Sequence, residues 1–238
     1  MSKAADQAPS GLRRGVLFDV DGTLIDSSYL HTVAWWGAFR QYGQDIPMAA
    51  IHQHVGMGGA RLVDALLPAG PHRPATADVL AAHGALYAAN WPALRAFDGA
   101  ADLLTGCHAA GLAVALASSA RTEDLAVMRD VLGAGDAIDA ATSANDASRS
   151  KPAPDILVAA LAAIGVEAAD AVYVGDAVWD MKAAAALGIP AIGVTSGGIP
   201  AEALREAGAV EVYSGPRELL DKLGASAIGR LLTPDPGQ

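Results

Sequence analysis

Cysteine is nearly missing from this chain: Cys107 stands alone among 238 residues. An internal disulfide is therefore excluded, and a reducing, cytoplasmic setting is the expectation. No reactive-thiol motif surrounds Cys107, so it reads as a helical core thiol rather than a nucleophile. Aromatic residues are scarce too, with three Phe and five Tyr, which leaves Ala, Leu, Val and Ile to build the interior. Basic residues are outnumbered 16 to 26 by acidic ones, giving a net charge of −10 with no basic stripe. Neither nucleic acid nor an anionic membrane surface is an expected partner. No apolar run reaches the roughly 18 residues of a membrane span, and no signal peptide is present. A soluble, unexported protein is expected. What the chain does have is 52% hydrophobic residues against 18% charged, enough for a sizeable core in one large domain or two modest ones.

The most informative stretch is Phe18-Asp19-Val20-Asp21-Gly22-Thr23-Leu24-Ile25-Asp26. Val16-Leu17-Phe18 reads as a short buried strand. It stops at two aspartates flanking one valine, which on a strand would start side by side. Two carboxylates that close repel each other and call for a cation, and a hard divalent ion such as magnesium suits oxygen ligands. Gly22 permits a tight departure from the strand. An ordinary strand-end turn would use the same Asp-Gly pair.

The rest of the chain divides in two. Residues 1–13 read as a loose polar lead-in, and residues 27 to about 97 read as all-helical. That block holds helices from Ser27 or Ser28 to about Gly43, after Pro47, around Arg61–Leu67, and from Thr76 to about Trp91. From Asp98 onward, helices alternate with strands at 112–117, 138–144, 171–175, 190–194 and 210–213, with a frayed tail from Pro234. Such alternation means a parallel sheet covered on both faces, interrupted after its first strand by an inserted helical unit.

In open α/β sheets, ligands bind at the carboxyl ends of the strands. Asp19 and Asp21 end the first strand, Ser118 and Ser119 the second, and Asp176 follows Val172-Tyr-Val-Gly175, with Asp180 one helical turn on. Lys151 precedes a Pro-opened helix in Ser150-Lys-Pro-Ala-Pro-Asp155. Each has an everyday explanation: a turn serine, an exposed lysine, aspartates near a helix N-terminus. Their joint fit to phosphoryl transfer is what singles them out. That task needs a nucleophile, a metal, and donors for the phosphoryl oxygens.

The ordered set Asp19-Val-Asp21-Gly-Thr23, Ser118, Lys151 and Gly175-Asp176-Ala-Val-Trp-Asp180 resembles the four motifs of the haloacid dehalogenase superfamily over about residues 13–225. The resemblance implies an α/β fold: a Rossmann-like parallel-sheet core (11–26 and 98–238) with a smaller all-helical cap domain (27–97). It implies a Mg²⁺-dependent phosphatase that acts on a small phosphorylated metabolite. Asp19 would be the nucleophile that forms an aspartyl-phosphate. Asp21 would protonate the leaving alcohol and then activate water. Asp19, the backbone carbonyl of Asp21 and Asp176 would hold the metal, with Asp180 acting through water. Ser118, beside Ser119, would bind the phosphoryl group, Lys151 would steady phosphate and Asp19, and Gly22 and Thr23 would shape the turn. Trp179 is bulkier than the small polar residue common at its place.

Asp21 argues against the metal-free dehalogenase branch, and the absence of lysine from 27–97 argues against the Schiff-base phosphonate branch. Gly175-Asp176 and Asp21-Gly-Thr23 resemble the phosphatases more than the β-phosphoglucomutase-type sugar-phosphate mutases, which remain the alternative. A phospho-accepting signalling module is the non-enzymatic alternative. Cap specificity residues are expected among His31, Trp35, His52, His54, Met57 and Arg61. Arg61 would either meet a second anionic group or lie on the surface. His52 and His54 lack a third metal ligand nearby, and Gly56–Gly59 is not a dinucleotide fingerprint. A monomer or homodimer is expected.

Overall fold

The computed structural model describes residues 13–233. Six strands form one sheet: β1 (Gly15–Phe18), β2 (Ala113–Ala117), β3 (Ala140–Thr142), β4 (Ala171–Gly175), β5 (Ala191–Val194) and β6 (Ala209–Tyr213). All pairings are parallel, in the order β3-β2-β1-β4-β5-β6. The order reverses between β1 and β4, and a crevice opens at such a switch point beyond the strands' carboxyl ends.

Alternation along the strands fixes what covers each face. β2 reads Ala-Val-Ala-Leu-Ala, so Val114 and Leu116 point to one side and three alanines to the other. Val16, Phe18, Val172, Val174 and Ile192 join the first side, under α5 (Ala100–Ala109), α6 (Thr122–Leu132), α10 (Pro216–Asp221) and α11 (Ala227–Leu232). The alanine side, with Leu17 and Tyr173, packs against α7 (Asp155–Ile164), α8 (Val178–Ala185) and α9 (Ala201–Glu206). Small residues there let those helices approach the sheet closely. The scarcity of aromatics is answered by this close packing, with Cys107 buried among the aliphatic side chains of the first face.

Between β1 and α5 the chain forms four helices: α1 (Ser28–Gln41), α2 (Met48–His52), α3 (Gly59–Leu66) and α4 (Thr76–Ala88). They bury a core of their own around Trp35, Phe39, Ile51, Leu62, Val63 and Val79. The two strands of chain joining this cap to the sheet domain pair with each other. Asp26 N–H donates to the Arg95 carbonyl and Phe97 N–H to the Leu24 carbonyl, both at 2.9 Å.

Local differences from expectation have local causes. α4 stops at Ala88 rather than Trp91, because Pro92 has no N–H to donate to the Ala88 carbonyl, and a 3₁₀ turn takes over at Trp91–Ala93. β3 covers only Ala140–Thr142, since Ser143 and Asp146 form a reciprocal cap that starts a 3₁₀ turn. α11 was not anticipated; Ser226 caps it by accepting from the Ile228 and Gly229 N–H groups. The expected lead-in up to residue 12 and the tail from Pro234 lie outside the described residues. Among the described residues, no helix is long and apolar enough to cross a membrane.

Candidate active site

The site is assembled by strand register. Phe18 lies opposite Leu116 of β2 and Val174 of β4, so the residues that follow all three emerge at one level. Asp19 N–H still donates to the Val174 carbonyl at 2.9 Å, which extends that register by one residue. Asp19, Ser118 and Asp176 consequently meet at the switch point. Lys151 comes in from the turn before α7 and Asp180 from the first turn of α8.

Lys151 is fully buried, with Nζ 2.5 Å from Asp19 Oδ1 and 2.8 Å from Asp180 Oδ1. Thr23 Oγ1 sits between two carboxylates, 3.3 Å from Asp19 Oδ2 and 3.2 Å from Asp176 Oδ1. Asp180 is held as firmly as Lys151: the Tyr173 hydroxyl donates to its Oδ1 at 2.8 Å and Ala177 N–H to its Oδ2 at 3.0 Å. Gly175 makes room for it, since a Cβ there would lie 2.6 Å from the Asp180 carboxyl carbon.

Carboxylate oxygens of Asp19, Asp176 and Asp180 lie within 4.8 Å of one another, all buried. The electrostatics follow. Burial, only partly offset by Lys151 and reinforced by Asp180 and Asp21, pushes the Asp19 carboxyl up to about 7. Burial, followed by the charges of Asp19 and Asp180, drives Asp176 well above the carboxylate range. Burial pulls the Lys151 pKa down, but Asp180 and Asp19 outweigh it, so the ammonium holds its proton more tightly than usual. Three acids against one lysine leave negative charge unmatched, and the donors are all oxygen. That set fits a hard divalent cation. The space beside Asp176 also fits, because a Cβ on Gly22 or Gly197 would collide with Asp176 Oδ2, and the buried Ser28 Oγ nearby has no hydrogen-bond partner among the described residues.

Asp21 differs from expectation. The chain leaves β1 after Phe18 and coils back, with Leu24 and Ile25 N–H donating to the Val20 carbonyl. Gly22 takes a φ of 77° in this turn. The two-residue period of a strand therefore no longer holds at Asp21, and its carboxylate is not part of the acidic group. It faces the cap instead: Oδ1 accepts from Ser27 Oγ at 2.6 Å and lies 3.0 Å from His31 Nε2 and 3.4 Å from the Tyr87 hydroxyl. Burial would raise its pKa, but His31 and Ser27 outweigh that and hold it below the usual carboxylate value.

Above the acids lies a cavity of about 390 Å³ between sheet domain and cap. Asp19, Asp21, His31, Ser118 and Ser119 line it, and so do Trp35 and Met57. Ser118 Oγ accepts from Ala120 N–H at 3.0 Å, which leaves its own proton free to donate. Arg61 is corrected: it is exposed and does not line the cavity, because Leu62 and Val63 turn that face of α3 into the cap core. Arg121 occupies the cavity wall in its place. His52 and His54 are not a metal pair; one meets the Gly197 carbonyl and the other the Ala50 carbonyl. Sequence reasoning also missed His83 and Tyr87. His31 and Trp35 on α1, and His83 and Tyr87 on α4, are i,i+4 pairs that interleave. The Trp35–His83 and His31–Tyr87 rings stack at 3.8 and 3.7 Å.

The sequence profile of the haloacid dehalogenase-like hydrolases matches residues 14–188, and so spans every residue of the acidic site. The chain belongs to this hydrolase family. Validoxylamine A 7'-phosphate phosphatase of Streptomyces hygroscopicus subsp. limoneus is 32% identical over 80% of this chain and 89% of its own. The phosphoglycolate phosphatase of Pseudomonas fluorescens (strain Pf0-1) is 28% identical over 79% of this chain and 72% of its own. The crystal structure of a hydrolase from Pseudomonas syringae superposes with a TM-score of 0.84 at 28% identity, covering 90% of this chain and all of that one. This haloacid dehalogenase-like enzyme therefore sits with the phosphatases of the family.

Proposed function

We propose that this enzyme is a Mg²⁺-dependent phosphatase that hydrolyses a small phosphorylated metabolite through an aspartyl-phosphate on Asp19. The observation that carries the reading is the division of labour between the two motif aspartates. Asp19 is clamped 2.5 Å from the Lys151 ammonium within the acidic group, while Asp21, two residues on, faces the cap and His31.

An Asp19 carboxylate oxygen attacks phosphorus and the bond to the leaving oxygen breaks. Asp21 gives that oxygen its proton. It then takes a proton from water, which cleaves the acyl phosphate and restores Asp19. Asp21 is held ionised by His31 and Ser27 in the free protein. The arrival of a phosphate dianion works the other way and favours the protonated acid. Lys151 orients Asp19 and neutralises charge on the phosphoryl oxygens, and Asp180 with Tyr173 keeps Lys151 in place. Ser118 Oγ and adjacent backbone N–H groups meet the phosphoryl group. Mg²⁺, held by Asp19, Asp176 and the Asp21 carbonyl, would offset the carboxylate charge and polarise the phosphoryl oxygens.

Gly175 weighs against the mutase alternative: the glutamate common there in mutases would bring a Cβ into the Asp180 carboxyl group. The test is phosphate release from p-nitrophenyl phosphate with Mg²⁺, in the wild type and in Asp19→Asn. Loss of turnover in the variant, with its fold intact by circular dichroism, is the expected result. Equal activity would refute the nucleophile.

A further inference from the structure

We infer that the leaving group is electrically neutral and hydroxylated, a sugar- or cyclitol-like ring rather than a carboxylate or a second phosphate. The inference rests on the phosphatase reading and names the substrate class of that same site. Among the described residues, Arg121 is the one arginine on the cavity wall, and no lysine lines it. Its charge is already matched. Arg121 Nε donates to Asp124 Oδ2 at 2.7 Å and Nη2 to Asp124 Oδ1 at 2.8 Å, a bidentate pair. Asp124 is only 2% exposed and also accepts from Trp91 Nε1 at 3.1 Å, which holds its carboxylate beside the guanidinium. Two histidines also line this wall: His31 has both ring nitrogens engaged, by Asp21 Oδ1 at 3.0 Å and by His83 Nε2 at 3.2 Å, and His83 is kept neutral by burial and by its neighbours His31 and Arg121.

A second anion on the substrate would thus meet no net positive charge and would face the Asp124 carboxylate at short range. A neutral polyol meets a better partner set. Arg121 Nη1 makes no hydrogen bond among the described residues, and Ser119 lines the same cavity. Trp35 and Leu80 supply an apolar wall for the C–H face of a ring. At about 390 Å³ the cavity is of small-ligand size. The placement of Arg121 is built into the fold: it lies against Gly84 of α4, where a Cβ would come within 2.6 Å of Nη1, and its Nη2 reaches the Gly84 carbonyl at 3.4 Å.

The test compares kcat/KM for glucose 6-phosphate, myo-inositol 1-phosphate and phosphoglycolate in the wild type and in Asp124→Asn, with p-nitrophenyl phosphate as reference. Ratios taken within one protein do not depend on how much of it is folded. The wild type should favour the two neutral-ring esters over phosphoglycolate by about tenfold or more. Asp124→Asn bares the Arg121 charge and should shift that ratio toward phosphoglycolate by about tenfold. A wild type that prefers phosphoglycolate, or an unchanged ratio in Asp124→Asn, would overturn the inference while leaving the phosphatase reading intact. No turnover of any ester, the aryl phosphate included, would overturn both.

Discussion

Replacing Lys151 by Met keeps most of the unbranched apolar stem but removes the one cation that, among the described residues, touches Asp19 and Asp180, at 2.5 and 2.8 Å. Lys151 is fully buried, so no water can take its place without rearrangement. Breaking a buried ion pair from one side costs about 3–5 kcal/mol. Part of that is recovered if a carboxyl takes up a proton, and the pH dependence reveals it. Asp19 already stands raised from 3.8 to about 7 with Lys151 present, through burial first and then its acidic neighbours. Without the ammonium it must rise further. A carboxyl with a raised folded pKa holds a proton that the unfolded chain has lost, so its contribution to stability is present at low pH and declines as pH climbs through the folded value. Above about pH 7, in EDTA, Lys151→Met should therefore go on losing stability with rising pH where the Asp19 contribution in the wild type levels off. One extra proton corresponds to about 1.4 kcal/mol per pH unit. Urea unfolding followed by tryptophan fluorescence across that range measures it. A variant within about 1 kcal/mol of wild type at pH 8, or one with the wild-type pH slope, would show that Lys151 does not compensate the acidic group.

Two further outcomes follow from close contacts. Gly175→Glu drives a Cβ into Asp180, which anchors Lys151, so turnover of p-nitrophenyl phosphate should fall by at least about a hundredfold even at saturating Mg²⁺; near-normal turnover would mean that Asp180 is free to move. Trp179 donates its indole N–H to the cap carbonyl of Gln53 at 3.2 Å, so Trp179→Ala should raise KM a few-fold, leave kcat nearly unchanged and shift stability by less than about 1 kcal/mol, as for a surface hydrogen bond; an unchanged KM would separate this contact from cap closure.

The parallel sheet was legible because its signal is local. Most strands are short apolar runs next to a Gly or Pro, β3 being the exception, and the crossing helices α6 and α7 show their own stop at Gly133 and Gly165, which take positive φ. Register was legible only indirectly. That Asp19, Ser118 and Asp176 emerge together requires Phe18 to face Leu116 and Val174, and no single segment states that pairing. The motif residues supplied it because their chemistry makes sense only if they meet. The direction of the Asp21 side chain escaped for the opposite reason. A strand rule was carried past Phe18 into a turn whose hydrogen bonds return to Val20, and there alternation means nothing.

The cap was harder to read, and Arg61 and Arg121 show why. Arg61 was singled out as a cation that would either meet a second anionic group or lie on the surface, and helix periodicity decides between the two. Leu62 and Val63 claim the buried face of α3, and a residue beside them on a short amphipathic helix turns to solvent. Arg121 lies three residues beyond Ser118, where β2 gives way to α6 at the sheet's carboxyl rim. The rule that places ligands at that rim applies to every residue of the β2–α6 junction, not to the serines alone. Extending it would have reached Arg121, and Asp124 with it, since a carboxylate in the first turn of α6 is both favoured by the helix N-terminus and one turn from the guanidinium. What the rule could not supply is Gly84. Only the approach of α4 to Arg121, just before α6, shows that a missing side chain on the cap makes the space in which the core's arginine lies.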